Sequence, residues 1–485
     1  MRNIITGADI EFAKAQGHSQ IIVGPDTIIT NVARESAERM NIRILEEGAQ
    51  AVSINAVAPV SAPAPVSPAG TNKPFLPSDF MQGQQTGAPV ISMKSQTGVS
   101  AYGEKPPYDM EHWRRQFPIL ENYVHVANCS QSPQSSYTLK ASNEYLDSWG
   151  KMGMDWDAWM QEVYLSKCEF AKIINADPSE IAIGTSISEI TSTLASSLNF
   201  NGKRNKIVVT DAEFPTIGNI WMAHKKYGAD IQFLPLRNGI IPEEEYDRYV
   251  DERTLLSSIC DVYYYSGFKQ DLASIIPKIH AKGSLVYVDA YQGLGTHPLD
   301  VKALDIDMLG SGNLKYLCGI PGVAFLYVKK ELIPYLEPAF TGWFGQEDPF
   351  AFEIHNLNYA KDARRFDNGT PPVMTAYIAR GGMQIINEIG PATVQYWTDI
   401  LSRHCIAGAE ARGLDVASPK DIRYKAPTTA IRVPGNSHDV ELKLREKKII
   451  ASARGDVVRI APHFFTRLED IDYVLDCFVE ILRRR

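Results

Sequence analysis

No run of about 18 apolar residues occurs in the sequence, so no segment is expected to span a membrane. Metal-ligand spacing is missing as well. The six cysteines, Cys129, Cys168, Cys260, Cys318, Cys405 and Cys477, stand far apart with no CxxC among them, as expected of reduced thiols in a cytoplasmic protein. The N-terminal stretch lacks a basic start followed by an apolar core, and Asp9 and Glu11 interrupt it, which argues against a secretory leader. Positive charge is not in excess either: the formal charge is -8, so there is no broad basic field to attract nucleic acid. What is present is an ordinary globular composition, 44% apolar and 22% charged, over 485 residues. That length has room for roughly two or three domains.

One region is nearly free of charge. From 49 to 105 the chain is rich in Ala, Pro, Ser and Gly ("AVAPVSAPAPVSPAG"), the composition of a flexible, semi-extended linker. It follows a small α/β module at 1–48. There, Thr6 caps a helix that ends at Gly17, "QIIV" and "IRIL" are strands, and "TIITNVARESAERMN" is a second helical pattern. From 106 to 375, helical segments alternate with short apolar runs: "KIVVT" (206–210), "DIQFLPL" (230–236), "DVYYYSG" (261–267), "SLVYVDA" (284–290), "IDMLGSG" (306–312) and "GVAFLYV" (322–328). This alternation predicts an α/β domain with a mostly parallel sheet covered on both faces. A smaller α+β domain, 376–485, follows and ends on the helical "LEDIDYVLDCFVEILRRR". No internal repeat is visible.

In such a sheet, ligands gather beyond the strand ends, so polar residues there are the candidates. "SLVYVDAYQ" puts Asp289 at a strand end, with Gln292 just after it, and "GSGNLK" puts Lys315 after the next strand. Taken singly, Asp289 reads as a turn former or helix cap and Lys315 as a solvated charge. Together they have a specific chemical meaning. A lysine that bonds to a cofactor aldehyde needs a water-poor site with glycines that allow close backbone approach. A buried carboxylate facing a pyridine nitrogen keeps that nitrogen protonated. The pairing points to pyridoxal 5'-phosphate. "AIGTSISEITSTLASSL" offers an anion cradle at Gly184, Thr185, Ser186 and Ser188, where a strand gives way to a helix, although a serine-rich cap reads the same way. Phe214 in "TDAEFPTIGN" is placed either to stack on a flat cofactor or to fill the core. "ARRFDNGTPPV" suits a loop held at a site, or a surface turn.

With these motifs in this order, the chain from about 106 to 485 resembles the class V aminotransferase superfamily of pyridoxal-phosphate enzymes, which includes cysteine desulfurases, isopenicillin N epimerase-like proteins and kynureninases. The resemblance implies the fold type I architecture, a large domain with a mostly parallel seven-stranded type of sheet and a smaller C-terminal domain. It makes Lys315 the Schiff-base lysine, sets Asp289 on the pyridine nitrogen and brings Gln292 near the phenolic oxygen. Ile187 and Ser188, with Ser186 and Ser266, fall to the phosphate, and Phe214 to ring stacking. "RFDNGTPP" is similar to a segment whose threonine, here Thr370, reaches the phosphate of a neighbouring subunit, which implies a homodimer. "FTGWFGQED" resembles a kynureninase segment and adds Trp343 to the cofactor contacts. "ARGDVVRIAPHFFTRLEDID" resembles the closing strand in which an arginine grips the substrate carboxylate; Arg459 fits that place, with Asn128 beside it on the substrate side. The other reading has Arg454 or Arg459 paired with Asp456.

Two departures stand out. "SARGDVVRIAP" has no cysteine where desulfurases carry a mobile one, which disfavours cysteine-dependent desulfurase activity. Gly312 and Leu314 stand where many relatives have a phosphate-binding serine and a histidine or tyrosine, so phosphate contacts are expected from 184–188, Ser266 and Thr370, with Ser311 as a substitute. The expectation is a cytoplasmic, homodimeric enzyme for an α-amino acid, an aminotransferase or lyase. The competing readings are a racemase or epimerase on the same scaffold, and a non-catalytic cargo or binding protein with a decayed pocket. Residues 1–48 are similar to segments at the start of some bacterial microcompartment-associated proteins, which implies docking to a larger assembly on a tether; a small accessory domain without a partner is the alternative.

Overall fold

The computed structural model describes residues 105–483 and most of 4–46. The expected linker lies almost wholly outside these described residues, as does Thr6. The chain divides into two units, the N-terminal module and the large body that follows.

Among its described residues the module has four short strands, β1 (Ile4–Ile5), β2 (Gln20–Val23), β3 (Ile28–Ile29) and β4 (Arg43–Glu46), and the helix Asn31–Met40. β1 pairs with β3 and β2 with β4, both in parallel, with Ile4 opposite Ile28 and Ile22 opposite Leu45. That register lays Ile4 and Ile5 beside Ile28 and Ile29. It also corrects the second helical pattern: its opening β-branched residues form a strand, and the helix begins only at Asn31. Ile10, Ala13, Ala33, Ala37 and Ile42 fill a small core.

In the large body, β5 (Val124–His125) precedes a seven-stranded sheet. Its strands are β6 (Ile181–Gly184), β7 (Lys206–Thr210), β8 (Asp230–Leu234), β9 (Thr254–Cys260), β10 (Leu285–Asp289), β11 (Met308–Gly312) and β12 (Ala324–Val328), in the order β6-β12-β11-β10-β9-β7-β8. Only β12 runs antiparallel to its neighbours. The expected mostly parallel α/β sheet is therefore present. Every residue of β6, β7, β9, β10, β11 and β12 is buried, as a sheet covered by helices on both faces requires. The edge of β6 is closed without another strand: the N–H of Ile183 donates to the Asp367 carboxylate at 2.8 Å.

One strand expectation fails. "DVYYYSG" is a turn, and the strand is the preceding "TLLSSIC". Ser257 and Ser258 break the apolar run, but both are buried between β7 and β10, whereas the three tyrosines at 263–265 pack ring against ring in the loop beyond.

The C-terminal part carries an antiparallel sheet of β13 (Asp415–Val416), β14 (Thr429–Arg432), β16 (Ser452–Arg454) and β17 (Val457–Ile460). Helices Pro391–Ala411, Ser437–Glu446 and Leu468–Arg483 share one apolar core with it. The short strand β15 (Ile449–Ile450) pairs in parallel with β5, which ties the start of the body to its end. No helix among the described residues is long and apolar enough to cross a membrane.

Candidate active site

The ends of β6, β7, β9, β10 and β11 open on a cavity of about 310 Å³. Lys315, Asp289, Gln292, Phe214, Ile187, Ser188 and Arg459, all singled out in the sequence, line it together. β10 and β11 are parallel neighbours, with Asp289 opposite Gly310, so the residues that follow them emerge at the same edge.

Lys315 Nζ lies 4.0 Å from the ring centre of Tyr291 and 5.7 Å from that of Phe214. Enclosure pushes its pKa down to about 8, against the opposing pull of the Asp289 charge. Asp289 is buried; its Oδ1 accepts the N–H of Tyr291 at 2.9 Å, and Oδ2 has no hydrogen-bond partner among the described residues. Burial raises the Asp289 pKa, while that N–H and Lys315 act to lower it. Behind it sits Glu213, whose two carboxyl oxygens are buried without partners. Burial, with the charge of Asp289 adding to it, pushes the Glu213 carboxyl well above the usual carboxylate range. Gln292 donates to the Cys129 carbonyl at 3.0 Å. Phe214 is 40% exposed and meets Tyr264 edge-on at 5.2 Å.

The anion cradle is narrower than the sequence suggested. Thr185 donates its N–H to Glu189 at 2.6 Å, and Ser186 caps the helix Ile187–Ser196 by accepting from Glu189 N–H. Asn368 donates to the same glutamate at 3.0 Å. What faces the cavity is the first turn at Ile187 and Ser188, where backbone N–H groups have no intrahelical acceptor and the helix dipole favours an anion. The Ser188 hydroxyl is 2.6 Å from that of Thr216, which opens a second helix, Pro215–Ala223. Thr216 was not among the sequence candidates, although the Phe-Pro-Thr start of a helix was a usable signal.

Arg459 is 1% exposed, and its contacts are all to neutral acceptors: Tyr264 O at 2.7 Å, Ser130 Oγ at 2.9 Å and Ser452 Oγ at 2.7 Å. Its Nε is buried without a partner. Asp456 is not paired with it; that carboxylate accepts from Tyr265 and lies 3.9 Å from Arg432. Arg459 is therefore a buried guanidinium with no carboxylate partner among the described residues.

Other candidates fall outside the cavity lining. Asn128 is fully buried, donating to Ala461 O at 2.8 Å and accepting from Ser132 at 2.9 Å. Ser266 accepts from Phe268 N–H at 3.3 Å, and Ser311 spends its hydroxyl on Gly312 O at 2.8 Å. Thr370 is exposed. Trp343 stacks on Phe352 and lines a separate cavity formed by 343–358. The sequence reading did not place Tyr291, Cys129, Ser130, Cys260, Tyr264 or Leu314 in the lining.

Gly312 now has a physical account. A Cβ at that position would lie 2.1 Å from Cζ of Tyr291. The tyrosine ring fills the space a side chain at 312 would take, so the departure at Gly312 and the presence of Tyr291 are one feature.

The site fits pyridoxal phosphate on its own chemistry. Asp289 keeps one oxygen free of protein partners, Lys315 is enclosed beside a flat wall of aromatic rings, and a helix N-terminus with two hydroxyls waits across the cavity.

The family model for "Aminotransferase class-V" matches residues 131–468. A Bacillus subtilis protein named "Uncharacterized aminotransferase YcbU" is 37% identical over 366 residues, which covers 76% of this chain and 96% of that protein. A kynureninase from Geobacillus thermodenitrificans is 24% identical, covering 78% of this chain and 92% of its own. Among solved structures, the apo cysteine desulfurase of Thermococcus onnurineus NA1 superposes with a TM-score of 0.71 at 21% identity, over 79% of this chain and 99% of that one. The C-DES K223A mutant with glycine covalently linked to its pyridoxal-phosphate cofactor gives 0.69 at 19% identity, over 76% and 99%.

Proposed function

This chain belongs to the class-V aminotransferase family, and from that premise we propose that it is a pyridoxal-phosphate-dependent enzyme acting on an α-amino acid, with aminotransferase or lyase chemistry. The observation that carries the reading is Lys315 and Asp289 facing one cavity from adjacent parallel strands. When bound, pyridoxal phosphate supplies an aldehyde and a ring that withdraws electrons from the substrate's α-carbon.

The chain's own residues do the rest. Asp289 holds negative charge where a ring nitrogen is to stay protonated. Phe214 covers a ring face. Ser188, Thr216 and the first turn at Ile187 hold the phosphate. Arg459 fixes the amino acid by its carboxylate through a planar fork. Lys315, its pKa lowered to about 8, takes the α-proton and returns it as general base and acid.

The aminotransferase outcome is favoured by the name of the 37% identical relative. The β16–β17 hairpin turns at Gly455 and Asp456 without a cysteine, which speaks against a thiolate delivered from that loop. Two thiols, Cys129 and Cys260, do line the cavity, and burial keeps that of Cys260 protonated. The exposed Thr370 suits a residue that reaches a second copy, and on that ground we read the enzyme as a homodimer.

The test is spectroscopic. Purified protein given pyridoxal phosphate should develop a visible absorbance band that Lys315→Ala abolishes. A colourless protein that takes up no cofactor would return the non-catalytic reading. Product analysis then separates the outcomes: amino-group transfer to a 2-oxo acid for an aminotransferase, release of ammonia or a substituent for a lyase.

A further inference from the structure

The substrate end of the cavity carries a second arginine that the proposed chemistry leaves without a task. Arg454, at the end of β16, lines the same cavity as Arg459. The two differ in setting: Arg459 is buried among neutral acceptors, whereas Arg454 is exposed at the rim. Neither forms an ion pair among the described residues, although carboxylates lie nearby in the chain at Asp456 and Glu441. Asp456 is taken up by Tyr265 and Arg432, and Glu441 by His438 and the Ala453 N–H. Both arginines line the cavity that encloses Lys315, and the charge of each acts to lower the lysine's pKa.

The charge count in the lining is then unbalanced. Asp289 offsets Lys315, the helix start at Ile187 and Ser188 is assigned to the cofactor phosphate, and two guanidinium groups remain with no protein carboxylate beside them in the lining. A monocarboxylic amino acid would satisfy one and leave the other facing an uncharged side chain. The cavity, about 310 Å³, lies near the lower end of ligand sites, so the amino acid sharing it with a cofactor must be short.

We propose that the substrate is a dicarboxylic amino acid or its 2-oxo acid, of the size of aspartate or glutamate, with the α-carboxylate on Arg459 and the side-chain carboxylate on Arg454. This rests on the pyridoxal-phosphate reading above and narrows it to a substrate class. It also makes Arg454 a specificity residue, because its fork discriminates by charge at the far end of the substrate.

The test uses the full-length protein loaded with pyridoxal phosphate. Its visible band is titrated with L-glutamate, L-aspartate and L-norvaline, the last matching glutamate in length without the second carboxylate. Succinate and butyrate are titrated as unreactive competitors. The dicarboxylic ligands should act at concentrations about 10- to 100-fold lower than their monocarboxylic counterparts, the range of a charge-assisted pair. In Arg454→Gln that ratio should collapse toward one, and Arg454→Lys should restore part of it. Equal response to glutamate and norvaline in the parent protein, or an Arg454→Gln variant that keeps the ratio, overturns the proposal while leaving the pyridoxal-phosphate reading intact. A protein with no visible band at all overturns that reading, and this one with it.

Discussion

The ring of Tyr291 occupies the volume that a Cβ on Gly312 would need, 2.1 Å from Cζ. Gly312→Ala should therefore push the ring toward Lys315, whose Nζ lies 4.0 Å from the ring centre. The expected cost is about 1–3 kcal/mol of stability, as for other overpacked sites, together with weaker cofactor retention. Adding Tyr291→Ala should recover the stability lost to the clash. Thermal denaturation and the visible band of the two variants, measured side by side, check this.

The depressed pKa of Lys315 sets a pH signature in the cofactor-free protein. Below about 8 both the folded and unfolded chains carry the proton, and the penalty of enclosing the charge is fully present. Between about 8 and its ordinary value of 10.5, the unfolded chain still binds the proton while the folded one has released it, so stability rises with pH by up to roughly 3 kcal/mol. Lys425, buried with a pKa pushed down to about 8, contributes in the same direction. The buried thiols of Cys318 and Cys405, pushed up to about 12 and about 11, act in the opposite sense in parent and variant alike, so the check is the difference: the urea midpoint of the parent should gain on that of Lys315→Met across this window.

Asp367 joins two parts of the large body. One oxygen pairs with Lys167 Nζ at 2.7 Å, both side chains being buried, and the other accepts from Ile183 at the edge of β6. Asp367→Ala leaves a buried ammonium and a buried N–H unpaired, and should cost about 3–5 kcal/mol. The double change Lys167→Met with Asp367→Leu should recover part of that loss, because it removes the charge as well as its partner. Denaturant unfolding of the single and double variants gives the coupling.

Much of this architecture was legible because apolar runs of a buried parallel sheet are nearly continuous and its strand ends share one edge. "KIVVT", "SLVYVDA" and "GVAFLYV" each contain a strand, and Asp289 and Lys315 follow from strand ends alone. β9 was missed because Ser257 and Ser258 hid a fully buried strand behind polar letters, while the aromatic "YYY" just beyond imitated one. Asn128 carries both donor and acceptor groups suited to a ligand, but only the fold shows them satisfied by Ala461 and Ser132. The exchange between Gly312 and Tyr291 involves residues that no local pattern connects.

The pairing of β6 with β12 bears on when the cavity can first exist. Gly184, at the strand end that leads into the phosphate-side helix, is bonded through β12 to Ala324, and β5 waits for β15 at Ile449. During synthesis the chain must therefore close these long loops before Ser188, Lys315 and Arg459 can face one another. A half-made chain holds no complete pocket, so cofactor capture is an event of the finished chain. Loading should then lag behind chain completion by the time this slow, non-local pairing takes.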